Sequence, residues 1–173
     1  MKIKYFGDLN FEFLGKKVTV AHDPVNNGLD SDIVLLSSDK IDTANIKGKV
    51  FNWPGEYEVN GVVIIAIESP TTRDNIYKIF VDNFSVVILN GVSQKLTDEM
   101  LEKIGNTDVL LLPLRFDSQG LTAEIAHDIY EDIDPRVVIP YDFDEKSLAE
   151  FAKEFGSMPA AEDNFEVSET SLP

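Results

Sequence analysis

The sequence predicts an α/β (α+β) domain built from two β-sheets with helices outside. Three observations predict it. Short strand-like segments crowd the first half, strand and helix patterns alternate in the second, and no linker, low-complexity tract or internal repeat separates the halves. At 173 residues, with 43% apolar and 27% charged content, the chain has the length and composition of one domain with a substantial core. That domain is read as residues 1–156. Residues 157–173 read as an acidic C-terminal tail with one edge strand at 165–167.

Each element has its own signal. Ile3, Tyr5, Phe11, Phe13, Val18 and Val20 alternate with polar residues, punctuated by Gly7 and Gly15-Lys16-Lys17, which predicts a three-strand meander with one buried face. Asp23-Pro24 ends it, and Asn26-Asn27-Gly28 carries turn chemistry. Four consecutive apolar residues, Ile33-Val34-Leu35-Leu36, predict a short strand buried on both faces that empties into a polar loop. Further strands are predicted at 50–52, 57–59, 62–67, 76–81 and 86–89, with Asn60-Gly61 and Asp82-Asn83 as hairpin turns. Thr97 caps a helix that runs to Ile104 and stops at Gly105. After a buried strand at 109–112, Thr122 opens a second helix, in which Ile125, Ala126, Ile129, Tyr130 and Ile133 follow helical spacing until Asp134-Pro135. A strand at 137–139 ends at Pro140. Asp144 caps a third helix, with Leu148, Phe151, Ala152 and Phe155 on one side and Gly156 at its end. The last residues of the tail read as loose.

Charge and composition exclude several functions. Thirty-one acidic against fifteen basic residues give a net charge of −16, the wrong sign for neutralising nucleic-acid phosphates or docking on an anionic membrane. The surplus reads as solubility in a crowded or salty cytosol, with a dedicated basic partner as the alternative. Without cysteine, disulfides, thiolate metal sites and cysteine nucleophiles are out. The start, Met1-Lys2-Ile3-Lys4-Tyr5-Phe6-Gly7, reads as an alternating strand and not a signal peptide, and no apolar run reaches the ~18 residues of a membrane span. The expected location is cytoplasmic.

The segment Asn52-Trp53-Pro54-Gly55-Glu56-Tyr57-Glu58-Val59-Asn60-Gly61-Val62 resembles the Pro-Gly-Glu-Tyr-Glu-Val-x-Gly segment of small prokaryotic metallo-β-lactamase-fold hydrolases of the lactonase-like branch. Tyr5-Phe6-Gly7, Phe11, Asp23-Pro24, Gln94-Lys95-Leu96-Thr97-Asp98-Glu99 and Ile139-Pro140 resemble its other landmarks in order, so that the likeness spans residues 1–143. It implies a four-layer αββα sandwich, here reduced in size, and a zinc-type centre held by a His-x-His-x-Asp-His loop after the strand at 33–36. In this chain that loop reads Ser38-Asp39-Lys40-Ile41-Asp42-Thr43, so Ser38, Lys40 and Thr43 stand at the three histidine positions and only Asp42 is kept. The remaining implied ligand positions fall near Thr71, near Gly91 and at Asp142. Two histidines in the whole chain, His22 and His127, cannot supply the imidazoles of such a centre, and a lysine ammonium repels a dication.

The remaining singled-out residues have modest readings. His22 reads as an edge or surface histidine, with a residual ligand as the alternative, and His127 as an exposed helix flank. No metal and no zinc is expected; as the alternative, Asp42 and Asp142, which the family fold would bring together, could with Asp39 grip a hard cation, Mg²⁺ or Mn²⁺ (or Ca²⁺). Otherwise Asp42 braces its loop and pairs with Lys40, or Lys40 takes the metal's place between Asp42 and Asp142. Glu56 and Glu58 share one strand face, read as solvated rather than as an acid–base pair. Trp53 reads as a core plug. Ser37-Ser38 lacks a histidine base, and no phosphate-binding glycine loop occurs. The expectation is a non-catalytic family member, a pseudoenzyme with no catalytic residues, that binds a protein partner or a small ligand in the vacated cleft formed by Ser38, Asp39, Lys40, Asp42, Thr43, Thr71, Gly91 and Asp142. The alternatives are a hydrolase of phosphoesters or lactones with a carboxylate-bound divalent ion, and a structural subunit of a homo-oligomer.

Overall fold

A computed structural model describes residues 1–24, 30–115, 121–156 and 162–173. The turn expected at Asn26-Asn27-Gly28 and the first residues of the tail lie outside them.

Strands β1 (Lys2–Tyr5), β2 (Phe11–Leu14) and β3 (Thr19–His22) form the expected antiparallel meander. Parallel strands β4 (Ile33–Leu35) and β5 (Lys49–Phe51) extend it, and β12 (Asn164–Glu166) pairs with β1 at the other edge, giving the order β12-β1-β2-β3-β4-β5. The second sheet begins with an antiparallel run, β6 (Gly55–Val59), β7 (Val62–Glu68), β8 (Asn75–Val81) and β9 (Phe84–Ile88). It ends with β10 (Val109–Pro113) and β11 (Val137–Tyr141), both parallel to β9. Helix α1 (Asp98–Ile104) links β9 to β10, α2 (Ala123–Ile133) links β10 to β11, and α3 (Glu145–Phe155) follows β11. Thr97, Thr122 and Asp144 accept backbone N–H bonds as N-caps, each at the start expected from sequence.

The apolar runs of β9 and β10 follow from two cores. Successive side chains in a strand face opposite ways. Val86, Ile88, Val109 and Leu111 therefore pack between the sheets with Phe11, Phe13, Val20, Ile33 and Tyr77. Val87, Leu89, Leu110 and Leu112 face the helices and meet Met100, Ile104, Ala126, Ile129 and Phe151. Each fully buried Val, Leu, Ile or Phe among them contributes about 1.5–3 kcal/mol. Lys78 ties α1 to this sheet: its buried ammonium donates to Ile104 O and, at 2.9 Å, to Asn106 O, satisfying carbonyls left over at the helix end. Burial holds its pKa below that of a free lysine.

The two β-sheets pack face to face in the expected α/β sandwich with three flanking helices, and α1, α2 and α3 all pack on the outer face of the β6–β11 sheet. The β4–β5 connection contains no helix. Among the described residues no helix is long and apolar enough to cross a membrane.

Two expectations are corrected. The chain end is packed, not loose: Val167 and Leu172 are buried in the inter-sheet core, Val167 N donates to Met1 O, and Arg136 Nε donates to Pro173 O. Trp53 is no core plug but 62% exposed. Tyr57 fills that corner instead, with its ring 4.8 Å from that of Phe51 and its hydroxyl within reach of the Trp53 and Pro54 carbonyls.

Candidate functional site

Strand β4 ends in a web of buried polar groups. Tyr77 Oη lies 2.7 Å from Leu36 O and 2.8 Å from Phe51 O, to either of which it can donate. Asn75 Nδ2 donates to Leu36 O and Asn52 O, and Asn75 N donates to Ser37 O. Ser37 N donates to Asp23 Oδ1 at 2.8 Å. Phe51 O also accepts from Leu36 N at 2.9 Å, and the other bonds satisfy Leu36 O, Ser37 N, Ser37 O and Asn52 O beyond the end of the β4–β5 ladder. Burial, and then the charge of Asp23, pushes the Tyr77 phenol well above its ordinary pKa.

His22 belongs to this buried layer, which corrects its reading as a surface residue. It is 0% exposed, with Nδ1 2.6 Å from Leu9 O and its ring edge-on to Tyr77. The phase of β3 carried the signal: Val18 and Val20 face inward, and the period of two puts His22 on the same side. His127 sits on α2 with its side chain 33% exposed, beside Tyr130 and Phe155.

The loop at 38–43 is open. Ser38 is half-buried, whereas Asp39, Lys40, Asp42 and Thr43 are exposed. Asp42 Oδ1 accepts from Ala44 N at 2.9 Å, so this carboxylate braces its own loop. No ion pair joins Lys40 to Asp42 or to Asp142, and Lys40 does not replace a metal between them. Asp42 is turned onto backbone, and Asp142 is held by another cation.

That cation is Arg115. The carboxyl ends of the parallel strands β9, β10 and β11 surround a cleft of about 190 Å³, whose wall includes Thr71, Asn90, Gly91, Ser93, Arg115 and Asp142. Such strand ends are where open α/β sheets place their ligands. The structure thus brings together Thr71, Gly91 and Asp142, while Ser38, Asp39, Lys40, Asp42 and Thr43 are not in that wall. Arg115 and Asn90 went unnoticed in the sequence. Their position just beyond a buried strand end was the available signal.

Arg115 Nη2 donates to Asp142 Oδ1 at 2.7 Å. With the Arg115 side chain 69% exposed, the pair contributes at most about 1 kcal/mol, and its consequence is chemical: the carboxylate is already neutralised. Asp142 N donates to Tyr5 Oη, and burial raises the Tyr5 phenol, aided by the Asp142 and Asp8 charges. Gly91 has φ +60°, its carbonyl accepts from Ser69 Oγ, and a Cβ there would lie 2.0 Å from Thr72 Oγ1. No aspartate side chain fits this position without displacing Thr72.

These residues do not fit the zinc centre that the resemblance implies. The cleft wall has no imidazole, and among the described residues no three His, Asp or Glu side chains converge. What the wall offers is a guanidinium, an amide and hydroxyls, the chemistry of hydrogen-bonded recognition.

The beta-lactamase superfamily domain matches residues 2–142. No curated protein matches the chain. A proposed Zn-dependent hydrolase of the metallo-β-lactamase superfamily from Thermotoga maritima superposes with a TM-score of 0.86 at 26% identity, covering 98% of this chain and 93% of that one. Igni18, a metallo hydrolase from Ignicoccus hospitalis, gives a TM-score of 0.67 at 16% identity over 96% of this chain and 99% of its own. An isothiocyanate hydrolase from Delia radicum gut bacteria gives 0.70 at 10% identity with the same coverage.

Proposed function

The chain belongs to the metallo-β-lactamase superfamily, and from that premise we propose that it is a member that works by binding, a pseudoenzyme that holds a small ligand or a protein segment in its cleft. The observation that carries this reading is the Arg115–Asp142 pair. At the position where the resemblance places the last metal-binding imidazole there is a carboxylate, and a guanidinium already occupies it at 2.7 Å. Gly91 supports the same reading, since it stands near the place the resemblance gives the bridging carboxylate, at a positive φ where any side chain would have to displace Thr72. Neutral nitrogen donors are what hold zinc while leaving a site for the attacking water, and the cleft wall supplies none.

Metal analysis of the purified protein, followed by phosphodiesterase and lactonase assays with added Zn²⁺, Mn²⁺ or Mg²⁺, tests the proposal. The expected result is no stoichiometric metal and no turnover above the metal-only background. One equivalent of metal, with hydrolysis that a chelator abolishes, overturns it in favour of a hydrolase, the activity attributed to the similar structures.

A further inference from the structure

Asn90 stands in the wall of the cleft, 7% exposed, and among the described residues its Nδ2 has no hydrogen-bond partner. A buried amide left with unmade donor bonds is costly, and a ligand acceptor in the cleft would satisfy it. Two further donors share that wall. Thr71 Oγ1 accepts from Ser93 N at 3.4 Å and from Ser93 Oγ at 3.1 Å, which fills its acceptor sites and leaves its O–H to donate. Arg115 carries a planar fork of N–H groups, of which Asp142 Oδ1 takes one.

We propose that this cleft binds a small monocarboxylate whose oxygens accept from Asn90 Nδ2, Thr71 Oγ1 and the Arg115 guanidinium; the proposal rests on the reading of the chain as a binding protein. A carboxylate is planar and acceptor-only, the complement of an amide, a hydroxyl and a guanidinium. The Asp142 charge in the same wall and a net charge of −16 disfavour a phosphate dianion more than a monoanion. Among the described residues Leu9, Val92, Pro113 and Leu121 give the wall its apolar part and suit a short hydrocarbon tail. At about 190 Å³ the cleft has several times the volume of a water molecule, about 30 Å³, which suits a short-chain acid.

The test is a titration followed by NMR of the backbone and side-chain amides, at fixed ionic strength, with propionate, propionamide and inorganic phosphate in parallel. Propionate is expected to shift the Asn90 side-chain amide and the Thr71 and Arg115 signals saturably. Propionamide and phosphate should bind at least about tenfold more weakly. The exposed-site variants Thr71→Val and Arg115→Met should each weaken propionate several-fold while keeping the folded spectrum, and Asn90→Leu should abolish binding if it folds. Equal or tighter binding of phosphate or propionamide, an unresponsive cleft, or unchanged propionate affinity in both exposed-site variants overturns the proposal. A zinc arm on the same sample separates the two readings. Stoichiometric zinc with chelator-sensitive hydrolysis defeats the binding reading itself, whereas a cleft silent to propionate without zinc uptake defeats only the carboxylate assignment.

Discussion

At the end of β4 the carbonyl of Leu36 is met by Asn75 and Tyr77, and the flanking Ser37 N–H by Asp23, all within the buried layer. A few residues on, Asp39, Lys40, Asp42 and Thr43 face solvent, and Asp42 bonds only within its own turn. The two stretches are adjacent, yet one is fixed by groups from β8 and from the end of β3, and the other, among the described residues, only by bonds within itself. The difference separates two demands. Buried backbone groups must be paired whatever the protein does, whereas ligand side chains are needed only if a metal is held. The scaffold is therefore intact where the loop has no imidazole to offer.

The comparison breaks most sharply at Gly91. Restoring a carboxylate there by Gly91→Asp should destabilise the protein by roughly 2–5 kcal/mol, from a strained positive φ and overpacking against Thr72. Chemical denaturation measures it. A loss below 0.5 kcal/mol would mean that the cleft rearranges freely and is not committed to its present shape.

Tyr77→Phe should cost less, about 0.5–1.5 kcal/mol, since it removes one buried O–H donor while Leu36 O keeps Asn75 Nδ2, Phe51 O keeps Leu36 N and the ring stays in the core. The same phenol sharpens the comparison through pH. Burial raises the pKa of Tyr77 and Tyr141 above the ordinary 10.0. A phenol whose folded pKa is raised gives its full stabilisation below the unfolded value, and loses it as pH climbs through the folded value. Stability should thus fall from about pH 10 upward. The fall should be shallower in Tyr77→Phe, and denaturant midpoints across pH 8–12 would read both.

How much of this was legible in the sequence follows the same division. The apolar periods of 86–89 and 109–112 announced buried strands because each face meets its own core. Thr97, Thr122 and Asp144 announced helix starts because capping is local chemistry. The missing imidazoles were equally plain, being a matter of composition. Pairings across the sandwich were not. The Arg115–Asp142 bond joins residues 27 apart, and the Tyr77–Leu36 bond residues 41 apart. No single-chain pattern encodes such partners. Trp53 was misjudged for a related reason: size favours burial on average, but Tyr57 already held the corner.

The smallest effect is expected in the loop itself. Lys40→His restores one imidazole at a position the resemblance assigns to a metal ligand. Lys40 is exposed, makes no ion pair with Asp42 or Asp142, and contributes only a backbone N–H to Ser38 Oγ, a bond that the substitution keeps. Stability should change by less than about 0.5 kcal/mol, as for surface substitutions in general. Zinc affinity measured by calorimetry should stay unchanged as well, because one imidazole in an exposed loop has no second nitrogen beside it and Asp142 remains held by Arg115. A gain of tight zinc binding from this one change would show that the loop and the cleft close on each other in solution, and the contrast between a fixed scaffold and an idle loop would fail.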